Sequence, residues 1–115
     1  MKLEPNCIFC KIVAGQIPAK KVHEDEHVIA FHDIHPWAPV HVLIVPKDHI
    51  VSMADVTDAH QALMGHMMVL APKLMRDLGV GNGFRQVINT GADGGQEVMH
   101  LHLHVFGGPR PWNKG

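Results

Sequence analysis

A chain of 115 residues with 10 Lys and Arg against 11 Asp and Glu is close to neutral, with a formal charge of -1 and 11 histidines left to titrate. That length is one domain, able to bury roughly 60 to 70% of its unfolded surface and so to hold a core without staples. The balanced charge shows no basic stripe and argues against duplex nucleic acid as a partner, and the longest apolar runs are too short to cross a bilayer.

The chain starts with one lysine followed by Glu4 and Pro5, which is no secretory signal, so the expected compartment is the cytoplasm. Residues 7–14 predict a short helix closed by Gly15. Its two cysteines, Cys7 and Cys10, are spaced as a metal or redox pair and not as a disulfide framework. His23-Glu24-Asp25-Glu26 reads as a polar, solvated turn between two short strands, the second running from His27 to Asp33. His35-Pro36-Trp37-Ala38-Pro39 is a loop stiffened by two prolines. Val40 to Val45 is a nearly unbroken apolar run and fits a central strand buried on both faces.

Residues 57–78 predict the one long helix, because Leu63, Met67, Leu70, Leu74 and Leu78 recur at helical spacing. Asp55 or Thr57 can cap its start and Gly79 its end, and Pro72 should kink or split it. Its methionines read as gap-filling core residues. His60 and His66 fall on its surface, and His23, His27 and His35 in loops. Residues 84–90 alternate as a strand, 91–95 form a glycine-rich loop, and 107–115 form an irregular arm carrying Trp112. The class is α+β, an antiparallel sheet with one long helix inserted.

His100-Leu101-His102-Leu103-His104-Val105 carries the chemistry. In an extended strand the three histidines share one face, while Met99, Leu101, Leu103 and Val105 share the other. Imidazole serves as nucleophile, acid, base or metal ligand near neutral pH. The glycine-rich loop delivers directly into this row, and glycines let backbone amides approach an anion. A phosphate held beside a nucleophilic imidazole is a phosphoryl- or nucleotidyl-transfer site. A metallo-hydrolase using the row as ligands is the competing reading, but no further Asp or His follows Val105 at the spacing such sites use.

The run His100 to Phe106 resembles the signature of the histidine-triad (HIT) superfamily. The similarity spans nearly the whole chain, through Cys7–Ile12, Ile17–Lys20, Ala30–Ile34, Pro39–Lys47 and Gly94-Gly95-Gln96. The continuation Val105-Phe106-Gly107-Gly108 looks like the bacterial Hint branch, the purine nucleoside phosphoramidases, and not like the Fhit branch. The resemblance implies a single HIT domain over 1–115, five antiparallel strands, and a homodimer whose sheets join. It implies a hydrolase that cleaves the P–N bond of a purine nucleoside 5′-phosphoramidate and needs no cofactor. His102 would be the nucleophile and His104 a phosphate contact. His100 would sit behind His102 and hold its tautomer, with His41 extending the network. Asp33 would bind the ribose and Ile34 line the nucleoside pocket. Asn89 and the backbone of Gly95, Gln96 and Glu97 would surround the phosphate and leaving group. The same resemblance offers His49 and His100 as partners of Cys7 and Cys10 in a structural zinc site; reduced thiols packed on a short helix are the alternative. Two further functions share these residues: dinucleoside polyphosphate hydrolysis and nucleotide-binding regulation.

Overall fold

Val40–Pro46 (β3) forms the middle of the sheet because its apolar run tolerates burial on both faces: His41 to Pro46 are all buried. The computed structural model describes residues 2–113. Its other strands are β1 (Lys21–Glu24), β2 (Val28–His32), β4 (Phe84–Val87) and β5 (Leu103–Gly107). All pair antiparallel, in the order β1-β2-β3-β5-β4. Two helices, α1 (Ile8–Val13) and α2 (Gln61–Asp77), complete the α+β fold.

Alternation divides the sheet's residues between two layers. On one face, Val28, Ala30, Val42, Ile44, Leu103 and Val105 pack with Met67, Leu70, Ala71, Leu74 and Met75 of α2. On the other, Ile29, Phe31, Leu43 and Val45 pack with Phe9 of α1. His41 and His104 belong to this second face, since His41 lies two residues from Leu43 and His104 pairs directly opposite it.

Local chemistry sets the element ends. Thr57 caps a 3-10 turn (Asp58–His60) through a reciprocal capping box, its hydroxyl accepting from Ala59 N–H and its own N–H donating to His60 Nδ1. The long helix therefore begins at Gln61, not at residue 57. It runs on through Pro72 without splitting: one backbone bond is lost there, while Leu70, Ala71, Leu74 and Met75 are buried on either side. Gly79 ends it with φ +81, a conformation that favours glycine.

Other boundaries also differ from the sequence reading. His23 and Glu24 belong to β1, not to a turn. The strand expected over 84–90 ends at Val87. Gly107 belongs to β5, where a side chain would meet Gly83 O at 2.7 Å, so the irregular arm begins only at Gly108. The end of that arm, residues 114–115, lies outside the described residues. Met99 is 47% exposed and does not join the core. Among the described residues no helix is long and apolar enough to cross a membrane.

The packing predicts a contrast along α2. Met67→Ala, at a fully buried position, should cost about 2–5 kcal/mol by urea denaturation. Lys73→Ala, at an exposed position, should stay within about 0.5 kcal/mol.

Candidate active site

β5 pairs with β3 only from Leu103 onward, opposite Ile44. His100 and His102 therefore precede the strand and do not continue it. The alternation still turns all three imidazoles inward: His100, His102 and His104 are each 7% exposed or less. Phe9 meets His102 and His100 edge-on, with ring centroids 5.1 and 5.9 Å apart.

A neutral imidazole carries one proton, so fixed partners identify its position. His102 Nδ1–H donates to the His100 carbonyl at 2.7 Å, which leaves the lone pair on Nε2. His100 thus fixes the tautomer of His102 through its backbone, and its own ring is turned elsewhere. His100 Nε2–H donates to the Pro46 carbonyl at 2.8 Å.

A second chain of bonds orients His104. The Trp37 N–H donates to His41 Nδ1 at 3.0 Å, so the His41 proton sits on Nε2. That Nε2–H donates to His104 Nδ1 at 2.9 Å, and His104 carries its proton on Nε2. Asp33 Oδ2 lies 3.6 Å from His41 Nε2. The Trp37 ring stacks on His104 at 4.3 Å with a 20° tilt. Burial holds His41 below the usual imidazole value, and the Asp33 carboxylate offsets only part of this.

Asp33 is itself held in place: its Oδ1 accepts from His35 N–H at 2.8 Å. Beside it Ile34 is 86% exposed, a large apolar side chain with no protein cover. Asn89 follows β4 and is half-buried. In the glycine-rich loop the amides of Gly95 and Gln96 close turns on Ala92 and Gly91 carbonyls. The Gln96 side chain braces the loop, accepting from Gly91 N–H and donating to the Val51 and Val98 carbonyls. Glu97 at the loop's end is exposed.

The remaining sequence candidates gather into a separate cluster. His100 Nδ1 lies 3.2 Å from Cys7 Sγ, 3.4 Å from Cys10 Sγ and 3.2 Å from His49 Nδ1. Cys10 Sγ lies 3.3 Å from His49 Nδ1. Four ligands around a tetrahedral zinc stand about 3.3–3.8 Å from one another, so the donor set fits such an ion with small adjustments. The Pro46 bond leaves His100 Nδ1 as a lone pair aimed into the cluster, as a metal-binding histidine requires. Burial lowers the His100 pKa to about 4 and raises that of the Cys10 thiol.

Sequence reasoning missed Trp37 and Phe9. Trp37 stood out only as the aromatic of a proline-bounded loop, and Phe9 lay between the two cysteines; neither pattern states which ring it touches.

The comparisons with known proteins identify the family and the fold. The HIT domain matches residues 14–110. Protein HitA of Neisseria gonorrhoeae is 50% identical over 104 residues, covering 90% of this chain and 97% of its own length. A HIT family hydrolase from Legionella pneumophila superposes with a TM-score of 0.89 at 47% identity, covering 91% of this chain and 95% of that one. A histidine triad protein from Clostridium difficile does so with the same score at 45% identity, covering 94% and 95%.

The bonding pattern fixes one observable. Nitrogen chemical shifts should report an Nδ1–H ring for His102 and Nε2–H rings for His41, His100 and His104. In metal-free protein the His100 ring should stay neutral down to about pH 4, where an exposed histidine titrates near 6.5. Between those values the unfolded chain binds the extra proton, so this group's contribution to stability is lost as pH falls through the window. Titration of His100 near pH 6.5 would contradict the structure.

Proposed function

Because this chain belongs to the HIT family, we propose that it is a hydrolase which transfers a nucleoside monophosphate onto His102 and then to water, with purine nucleoside 5′-phosphoramidates as substrates. The observation that carries this reading is the 2.7 Å bond from His102 Nδ1–H to the His100 carbonyl. It presents Nε2 as the nucleophile and gives the ring a fixed acceptor when attack makes it cationic. Nε2 attacks the α-phosphorus, an N–P bond forms, the substrate P–N bond breaks, and the amine leaves with a proton. Water then attacks phosphorus, releases the monophosphate and restores His102.

The other residues divide the remaining work. His104 donates its Nε2–H to a phosphate oxygen, its tautomer set by His41 and Trp37. Positioned donors of this kind supply most of what a phosphoryl transfer needs. Asp33 accepts from the ribose hydroxyls, and exposed Ile34 packs on the nucleoside. Asn89 and the Gly95–Glu97 loop border the phosphate and leaving group. Glu97 is exposed at the loop's end, and its carboxyl is the group we assign to protonating the amine.

No cofactor takes part in these steps. Cys7, Cys10, His49 and His100 would hold a structural zinc, since four protein ligands leave no open position for chemistry. The assembly we propose is a homodimer with joined sheets. β4 stands at the sheet's edge, beside exposed Met68 of α2, whose sulfur Gln86 of β4 reaches. An exposed strand edge is a ready template for such pairing.

Turnover of adenosine 5′-phosphoramidate and diadenosine triphosphate should be compared side by side in excess chelator. The expected result is faster release of AMP from the phosphoramidate, reduced at least about 1,000-fold by His102→Ala. Preference for the triphosphate would reassign the leaving group to a nucleotide, and binding without turnover would make the protein a nucleotide-binding regulator. Metal analysis of protein purified without added zinc should give close to one equivalent per chain. Less than about one-tenth equivalent would remove the zinc site.

A further inference from the structure

His23, Asp25 and His66 meet on the far side of the molecule from α1, where the β1–β2 turn touches α2. His23 Nε2 and His66 Nε2 each lie 2.7 Å from the same oxygen, Asp25 Oδ2. The three side chains are between 27% and 41% exposed, so the cluster is open to water on one side.

The carboxylate is aimed by the backbone. Asp25 Oδ1 accepts from His27 N–H at 2.8 Å and Val28 N–H at 3.0 Å, which fixes the group and presents Oδ2 to both rings. Burial alone would raise the Asp25 pKa, but the bonds from His23, His66 and the two amides outweigh it and hold the group well below the usual carboxylate range. A permanent carboxylate with two imidazoles whose Nε2 atoms converge on it offers one hard oxygen and two borderline nitrogens, all within 4.8 Å of one another. Such a set suits zinc, nickel and copper and leaves the remaining positions to water. His66 also borders an open groove of about 550 Å³ lined by Glu26, His27, Asp48 and His60, so ligands from solution can approach that side.

We propose that His23, Asp25 and His66 form a second metal site, binding a divalent transition ion by two imidazole Nε2 atoms and one carboxylate oxygen. The ion would replace the two Nε2 protons now shared with Asp25, moving each ring's proton to Nδ1. It would clamp the hairpin of β1 and β2 to α2. The site is independent of the catalytic imidazoles and of the cysteine cluster, so its failure would say nothing about phosphoramidate turnover.

Cobalt(II) separates the two metal sites. Equilibrium dialysis of the full chain in Co²⁺ should give two equivalents, only one of which produces a thiolate-to-cobalt charge-transfer band. His66→Gln and His23→Gln should each weaken the equivalent without that band by about tenfold or more, and leave the thiolate band unchanged. Added Ni²⁺ should raise the Tm of the wild type more than that of either variant. His66 is exposed, so its replacement leaves the core intact. Unaltered cobalt binding in both variants, or no equivalent lacking the thiolate band below millimolar Co²⁺, would show that the three residues only hydrogen-bond the hairpin to the helix.

Discussion

A buried imidazole has one proton and two nitrogens that both need partners, and the site is organised around that constraint. Three backbone groups resolve it: the Trp37 N–H, the His100 carbonyl and the Pro46 carbonyl. Each fixes one ring nitrogen, and the His41–His104 bond carries the result one ring further. Among the described residues no buried side-chain nitrogen or oxygen lacks a partner. Side chains could rotate away from one another, whereas these three partners move only if the loop, the sheet end or the lead-in to β5 moves.

His100 joins the two halves of the site. Its ring points into the Cys7, Cys10 and His49 cluster, while its carbonyl holds the His102 ring two residues on. Phe9, between the cysteines, packs edge-on against both rings. The Leu101 N–H is tied to the Ile50 carbonyl, one residue past His49. Whatever holds the two cysteines and His49 together therefore also sets where the His100 carbonyl stands. A structural ion there would act on the reaction by geometry, through one peptide unit, without touching substrate.

The sheet's central strand, the long helix and the histidine row were legible in the sequence because each repeats a period: apolar continuity in Val40–Val45, helical spacing from Leu63 to Leu78, and strict alternation from His100 to Val105. What periodicity does not carry is where a ladder stops. Continuing the β3–β5 register past Ile44 and Leu103 would place Pro46 opposite Leu101, and Pro46 has no N–H to donate. The pairing ends there, and its carbonyl is taken instead by the His100 ring. Contacts between distant positions were equally hidden. His66 lies 41 residues from Asp25, and the acidic turn read as solvated until the helix placed a second imidazole against it. The resemblance to the HIT superfamily supplied His41 and Asp33 by position; Trp37, which holds one and stacks on their common neighbour, had no such pointer.

Burial of His41 and His100 lowers their pKa and so costs stability in acid, but it keeps both rings neutral at neutral pH. If His41 took up a proton, its Nδ1–H would face the Trp37 N–H, donor against donor, and the bond that sets the relay would be lost. The Asp33 carboxylate favours that protonation, but desolvation of a ring only 2% exposed works against it more strongly. A half-solvated His41 beside the same carboxylate would charge more readily and leave the His104 tautomer undefined. Burying His41 within the sheet and not at its rim keeps that ring neutral, so that its Nε2–H donates to His104 Nδ1 and leaves the His104 proton on Nε2, while the bond from His102 Nδ1–H leaves His102 a lone pair on the same atom.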